Sequence, residues 1–549
     1  MTNPDYSNLP SSLPVTSAKD EGKVTFSVRS ELVVVPVVVT DGKNHLRGLK
    51  KEDFSVFENG KEQTISSFEE VTTDSSPVQR LQSEQDQFKN VFTGSPGARR
   101  VTLIVLDEVN TPFMDQAYAR GQLVKYLSQH LQASDLVSLI TMNWKGMRVI
   151  HDFSSDPAIL IAALNKVSGS LPQLTDQERA VQGATSNSPF INRPIARLSP
   201  ATIDSDATAL TDFVQEADRS AVNYRQAAAI EATLACFLQL AQAYQGVPGR
   251  KSLVWLTGGF PFTLTDQNSL PGSGLGALYE RAMQLMNQAN IAVYPVDAAG
   301  LVNFGYSATA PLTARGRVTA NINRVWLQGD VHATLADFAQ MTGGRAFYDR
   351  NDLDTGISQA SQDSSHYYVL GYYLDQKDRS PGWRKLKVKV RRDGAHILAR
   401  NGFFVTPATM NAEASKRYDI REALFSPLDA TALPVAVKWM EISHDGGKQR
   451  VAFLIGTPGK NIGIDPANHN RVSVEVAAIV KKPDGTQVDG ISRDLNADLK
   501  SDAIDNFTKT LLTHQDQFEL KSGDYTVKFV MRDNLTGKLG SVVAPLKVP

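Results

Sequence analysis

Four oxygen-bearing side chains stand within five residues at the end of an apolar run: Asp107, Glu108, Asn110 and Thr111, in RRVTLIVLDEVNTP. Carboxylate, amide and hydroxyl oxygens at such spacing are hard ligands, the kind that hold magnesium or calcium. Another carboxylate, Asp297, ends the apolar run IAVYPVD, and the turn Thr257, Gly258, Gly259, followed by Phe260, ends SLVWLT. Each group sits where a buried strand stops, and open α/β sheets bind ligands at the carboxyl ends of their strands. The competing chemistry is capping, in which Asp107, Asn110 and Thr111 accept from the free amides of a following helix. Because oxygen-ligand geometry is demanding, capping is the favoured expectation.

The elements that must position these groups follow from pattern. Val101 to Leu106 is a short, β-branched apolar run, as expected of a parallel strand buried on both faces. The spacing then predicts a helix over Leu123–Leu131, strands over Asp135–Met142 and Arg148–Phe153, and a helix over Pro157–Val167. A long helix over Tyr224–Tyr244, a strand within Gly249–Pro261, a helix over Leu278–Ala289, a strand over Ile291–Val296 and a helix over Thr334–Thr342 complete the series. Strands alternating with helices imply an α/β fold with a doubly wound parallel sheet.

In order, LIVLDEVNTP, VSLITM with VIHDFS, PGRKSLVWLTGGFP, IAVYPVDAAGL, LADFAQMTGGRAFY, and HYYVLGYYL with RNGFFV resemble the von Willebrand factor A-like domains. More narrowly they are similar to the bacterial "VWFA-related" subfamily, in which such a Rossmann-like domain is joined to β-rich segments of exported proteins. The resemblance spans roughly Thr25 to Val405 and rests on the order of the motifs.

It implies a divalent-cation site built from an Asp-x-Ser-x-Ser turn, a distant Thr, and an Asp in a Thr-Asp-Gly turn. Here Asp107 fills the first position, Val109 offers no oxygen at the second, and Thr111 keeps a hydroxyl at the third. Gly258 stands where the second turn would carry its carboxylate, and Thr208 and Thr211 are the candidates for the distant Thr. The expectation is a degenerate metal-ion-dependent adhesion site: no cofactor, or at most weak magnesium or calcium at Asp107, Asn110, Thr111 and Asp297. On that reading Val109→Ser with Gly258→Asp should restore a site.

A formal net charge of -1, with Lys and Arg spread along the chain, argues against a nucleic-acid footprint. The densest basic run, Arg384 to Arg392, alternates with Leu386, Val388 and Val390 and reads as a strand with one solvated face. The single cysteine, Cys236, lies in an apolar helix and excludes an intramolecular disulfide. GVPGRKS has neither the spacing nor the strand-to-helix order of a phosphate loop, GxSxG is missing, and no histidines stand at i, i+4. The longest apolar run, Leu32 to Val39, is too short to span a bilayer as a helix. MTNPDYSNLP lacks the charged and apolar regions of a signal peptide. Export to the periplasm or beyond is therefore implied by the resemblance alone.

At 549 residues about three domains are expected. Residues 1–22 read as a disordered leader, and 23–71 with 365–406 as one discontinuous β domain. Residues 72–98 read as a linker, and 99–364 as the A-like domain with a long polar insertion at 168–221. A linker over 410–424 leads to an immunoglobulin-like β sandwich over 425–549. The function expected is non-enzymatic: adhesion or binding to a protein or cell-envelope ligand, with Glu108, Phe190, Thr257, Gly258, Gly259 and Phe260 as contact residues. The alternatives are a hydrolytic or carbohydrate-processing protein using the domain as a scaffold, and a structural envelope protein assembling through its β domains.

Overall fold

The computed structural model describes residues 32–73, 87–90, 99–167, 205–260, 275–300, 331–374, 382–405 and 412–549, apart from 43, 299, 446–447 and 467. Phe190 and most of the 168–221 interval lie outside these residues, as does the expected leader. The chain begins with β1 (Leu32–Thr40), β2 (Phe54–Glu58), β3 (Lys61–Gln63), β4 (Ser67–Thr72) and β5 (Gln87–Lys89). Its middle holds β6 (Arg100–Asp107), α1 (Phe113–Gln129), β7 (Asp135–Asn143), β8 (Gly146–Ser154) and α2 (Pro157–Asn165). Next come α3 (Ser205–Tyr244), β9 (Lys251–Thr257), α4 (Leu275–Gln288), β10 (Ile291–Asp297), α5 (331–342) and α6 (Leu353–Gln362). After these follow β11 (His366–Tyr373), β12 (Gly382–Val390), β13 (His396–Leu398), β14 (Gly402–Val405) and α7 (Ala412–Phe425). The remainder is β15 (Ala436–Asp445), β16 (Lys448–Pro458), β17 (Arg471–Lys481), β18 (Gln487–Asp498), α8 (Ile504–Lys509), β19 (Leu511–Leu520), β20 (Gly523–Asp533) and β21 (Leu539–Val548).

The molecule is mixed α/β, and its described strands form five sheets. One has the order β10-β9-β6-β7-β8, with β6 parallel to β7 and β9, β9 parallel to β10, and β8 antiparallel at the edge. Every residue of β6 and β9 is buried, which is why these strands read as continuous apolar runs without alternation. Side chains still alternate by face. Val101, Leu103 and Val105 join one apolar cluster with residues of α3, α4 and α5, while Ile104 and Leu106 join another with α1, α2 and α6.

The segments on either side of this part share two sheets. β1 runs between β11 and β13, β4 pairs with the other side of β11, and β12 pairs with both β2 and β14. In β12 the lysines are exposed and Leu386 is buried, so the basic run is a strand with a wet face. The C-terminal strands form two further sheets, β19-β16-β15-β5 and β18-β17-β20-β21, around a common core.

Two stretches differ from the expectation. Gln87–Lys89, within the expected linker, is an edge strand paired with β15, because pairing to a partner makes a strand of three residues that have no apolar pattern of their own. In the 168–221 interval, α3 already begins at Ser205, beyond the last proline of the interval, Pro200; the chain from there holds no Pro or Gly and is rich in good helix formers. Its polarity, the reason for expecting a loop, says little about backbone conformation. Among the described residues, no helix is long and apolar enough to cross a membrane.

Candidate functional site

Asp107 closes β6 at the edge of the parallel sheet and is buried to 2% exposure. Its Oδ1 accepts from the backbone amides of Val109 and Asn110, each at 2.9 Å. Its Oδ2 accepts from Asn110 Nδ2 at 2.8 Å, Trp255 Nε1 at 3.0 Å and Thr257 Oγ1 at 2.8 Å. Five donors therefore occupy a carboxylate that has about four lone-pair sites. Burial pushes the Asp107 carboxyl up from its ordinary range, opposed by the hydrogen bonds from Asn110, Thr257 and Trp255.

The rest of the turn is equally committed. Asn110 Nδ2 also donates to Thr233 Oγ1 of α3 at 3.0 Å, and Thr111 Oγ1 accepts from the Gly258 amide at 2.9 Å. Thr208 and Thr211 lie on the α3 backbone but their side chains are outside the described residues; further along the same helix Thr233 meets the turn. Glu108 is buried and pairs with Arg120 at 3.3 Å. These groups do not cap α1, whose N-cap is Pro112 with no side-chain cap bond. They instead stitch the β6 turn to β9 and α3.

The residues do not fit the cation site that the family resemblance implies. Val109 is fully buried in the apolar cluster facing α3 and α4, so a hydroxyl there would stand in the core. A Cβ on Gly258 would lie 2.9 Å from Pro112 Cδ and 3.0 Å from the Asn110 carbonyl oxygen, so a carboxylate there would need the turn to open. Asp297, on β10, is held by His332 Nε2 at 3.1 Å, and His332 stacks on Tyr348 at 4.4 Å between ring centroids. Among the described residues no group of three or more His, Cys, Asp or Glu side chains is placed to share a metal ion.

Several expected contact residues are interior. Phe260 packs edge-on against Phe338 at 5.1 Å and Trp255 at 6.0 Å and is 3% exposed, so it anchors the core and not a partner. Thr257 is fully buried, and its hydroxyl, with one proton to give, lies 2.7 Å from the Gly259 carbonyl oxygen as well as 2.8 Å from Asp107 Oδ2, while it accepts from the Gly259 amide at 3.2 Å. Gly259 adopts φ +141°, a conformation that lets the chain turn Phe260 inward. Apolar side chains beside a glycine turn bury when an aromatic cage is within reach, and Trp255, Phe338 and Phe237 form that cage.

Trp255, Thr233 and His332 are the site residues that sequence reasoning did not assign to it. A lone indole in SLVWLT and a lone hydroxyl in the apolar helix ATLACFLQL were the available signals, since buried donors of this kind need an acceptor.

No family model matches the chain, and no curated protein matches it. Among solved structures, a Bacteroides uniformis β-glucuronidase aligns with 33% of this chain at 12% identity and a TM-score of 0.16. The chain spans only 19% of that enzyme's length. The ArnB paralog VWA2 of Sulfolobus acidocaldarius, a VWA-domain protein, aligns with 90% of this chain and 75% of its own at 8% identity and a TM-score of 0.18. At such TM-scores neither likeness bears on activity.

Proposed function

We propose that the chain is an exported, non-enzymatic interaction module of the von Willebrand factor A-related kind. In this reading the parallel sheet and its two helical layers are a doubly wound domain, and its degenerate adhesion site binds a protein or cell-envelope ligand without a metal ion. The observation that carries the reading is the saturated carboxylate of Asp107, which makes the turn a rigid platform instead of a cation ligand. With Phe260 and Glu108 inside, the exposed aromatic rings near the strand ends among the described residues include Phe113, 46% exposed directly after the turn, and Tyr348, 39% exposed on His332. Tyr118 of α1 donates to the Asn351 carbonyl at 2.9 Å and so links the two neighbourhoods. Exposed aromatic rings on a rigid support are the usual anchors of an interface.

The test is capture of a discrete partner from cell-envelope fractions, with and without EDTA. Capture should be indifferent to EDTA and lost in a folded Phe113→Ser, Tyr348→Ser double variant. A requirement for magnesium, or capture unchanged in that variant, overturns the reading.

A further inference from the structure

Strand β12 carries a row of cations that the fold leaves unneutralised. Trp383, Lys385, Lys387 and Lys389 alternate with the buried Arg384 and Leu386 and the half-buried Val388, so these four share one face of the strand, and that face is exposed. Successive lysines on such a face stand about 6.8 Å apart, within the Debye length of about 8 Å at physiological salt, so they repel one another. Acidic cross-strand neighbours would relieve the repulsion. Here the residues opposite are Gly402 on β14 for Lys385, and Phe57 and Ser55 on β2 for Lys387 and Lys389. Glu62 of β3 lies one strand further, opposite Phe57. None of the three lysines forms an ion pair among the described residues. Lys389 Nζ instead sits 4.9 Å from the centroid of the Phe57 ring. Lysines also guard sheet edges against unwanted pairing, but β12 is interior to its sheet, between β14 and β2.

The row ends on an aromatic ring. Trp383 lies across Gly402, where any Cβ would run into the indole, and packs on Phe404 with ring centroids 4.9 Å apart and planes at 62°. Phe404 is held in turn by Tyr279 of α4, at 6.3 Å. Fixed in this way, Trp383 is still 38% exposed, beside Lys385, the residue opposite Gly402. A linear row of ammonium groups matches a linear polyanion, since a compact anion engages only one or two of them. The ring adds a selection, because the face of an indole carries partial negative charge and attracts the C–H bonds on the flat side of a pyranose. Single-stranded nucleic acids are held by aromatic rings that repeat along a basic groove, whereas here one ring stands at one end and the chain's formal net charge is -1.

We propose that this face of β12 docks an acidic polysaccharide, with Lys385, Lys387 and Lys389 on its carboxylates and the indole of Trp383 against one sugar ring. The face belongs to the flanking β segments and is distinct from the strand-end rings of the interaction site proposed above, so either can fail without the other.

Purified polymers and the full chain decide this. Polygalacturonate, alginate and hyaluronate are compared by calorimetry with dextran, which is neutral, with polyglutamate, which has carboxylates and no sugar, and with oligo-dT and phosphatidylglycerol vesicles. Saturable binding to at least one of the three acidic polysaccharides is expected, weakening as salt rises, and none to dextran. Lys385→Gln, Lys387→Gln and Lys389→Gln together should weaken binding at least about tenfold, because three charge contacts vanish. They should do so without lowering the melting temperature, since all three side chains are exposed. Trp383→Leu, which keeps apolar cover over Gly402, should weaken binding to the polysaccharide. The proposal is overturned if none of the three polysaccharides binds, or if either variant binds as the parent chain does. It is equally overturned if polyglutamate, oligo-dT or the vesicles bind as tightly as the best polysaccharide, since charge alone would then account for the face.

Discussion

At the scale of single residues, the decisive distinction is between a carboxylate that receives hydrogen bonds and one that awaits a cation. Asp107→Asn puts an amide hydrogen opposite Asn110 Nδ2, Trp255 Nε1 or Thr257 Oγ1, leaving buried donors unmatched. Buried unsatisfied donors cost about 1–3 kcal/mol each, so a loss of about 3 kcal/mol is expected in urea melts, equal with magnesium and with EDTA. If the loss appears only with magnesium present, the carboxylate is a metal ligand after all. Gly258 gives a second prediction. Gly258→Asp, alone or with Val109→Ser, should destabilise the chain and create no magnesium site, because the new Cβ meets Pro112 and Asn110. Magnesium titration by calorimetry checks this, and saturable heat absent from the parent chain would show that the turn yields. The place of the site was legible in the sequence because oxygen side chains cluster at the end of an unmistakable strand. The outcome at that place was not, since it depends on Trp255 and Thr233, which are 148 and 123 or more positions away from their partners in the turn.

Elements were legible in proportion to how much of their conformation is local. Runs such as VTLIVL and IAVYPV are rich in β-branched residues and buried on both faces, and the observed strands lie where these runs do. Helix α6 has little local signal: LDTGISQASQ carries Gly, Thr, Ser and Asp, weak helix formers, and it is held by the burial of Leu353, Ile357 and Ala360 against the sheet. It is also pinned electrostatically to α1. Asp354 lies 3.0 Å from Lys125 Nζ and 3.2 Å from His130 Nε2. Burial pushes the Asp354 carboxyl up, but the hydrogen bonds and charges of Lys125 and His130 outweigh it and hold it below the ordinary value of 3.8. A carboxyl depressed in the folded chain contributes stability that is present above 3.8 and lost as pH falls through its lower folded value. Asp354→Asn should therefore lower stability at neutral pH and flatten the acid limb of the stability profile below 3.8. An acid limb identical to that of the parent chain would show that the α1–α6 contact does not rest on this group.

The whole molecule is interlaced more than a string of domains would be, and that is where sequence reading is weakest, since long-range pairing leaves little local trace. β11 lies between β1 and β4, so removing residues 1–72 strips both of its edges and should cause aggregation through the exposed strand. A soluble truncated chain with a cooperative melt would refute that. The C-terminal sheets are tied back in the same way. Thr431 donates its amide to the Gln242 carbonyl at 3.0 Å and its hydroxyl to the Ala243 carbonyl at 2.7 Å, at the end of α3. Asn90, directly after β5, donates from Nδ2 to the carbonyls of Ala430 at 2.5 Å and Leu433 at 2.8 Å, and its Oδ1 accepts from the Val435 amide at 2.7 Å. One buried side chain thus satisfies three backbone groups that belong to a segment 340 or more residues later. Residues 425–549 expressed alone lack both β5 and this clamp, and leave one edge of β15 unpaired. Asn90→Ala in the full chain isolates the clamp from the strand: it strands the Leu433 carbonyl and the Val435 amide, while the Ala430 carbonyl keeps the Ser541 amide at 2.9 Å, for an expected loss of about 2 kcal/mol. Hydrogen exchange locates the effect, with protection falling at Val435 and along β15 while the amides of β6 and β9 keep theirs. Uniform loss across the chain would mean that the C-terminal sheets and the parallel sheet unfold as one cooperative unit, and unchanged protection at Val435 would mean that Asn90 is not what holds that segment.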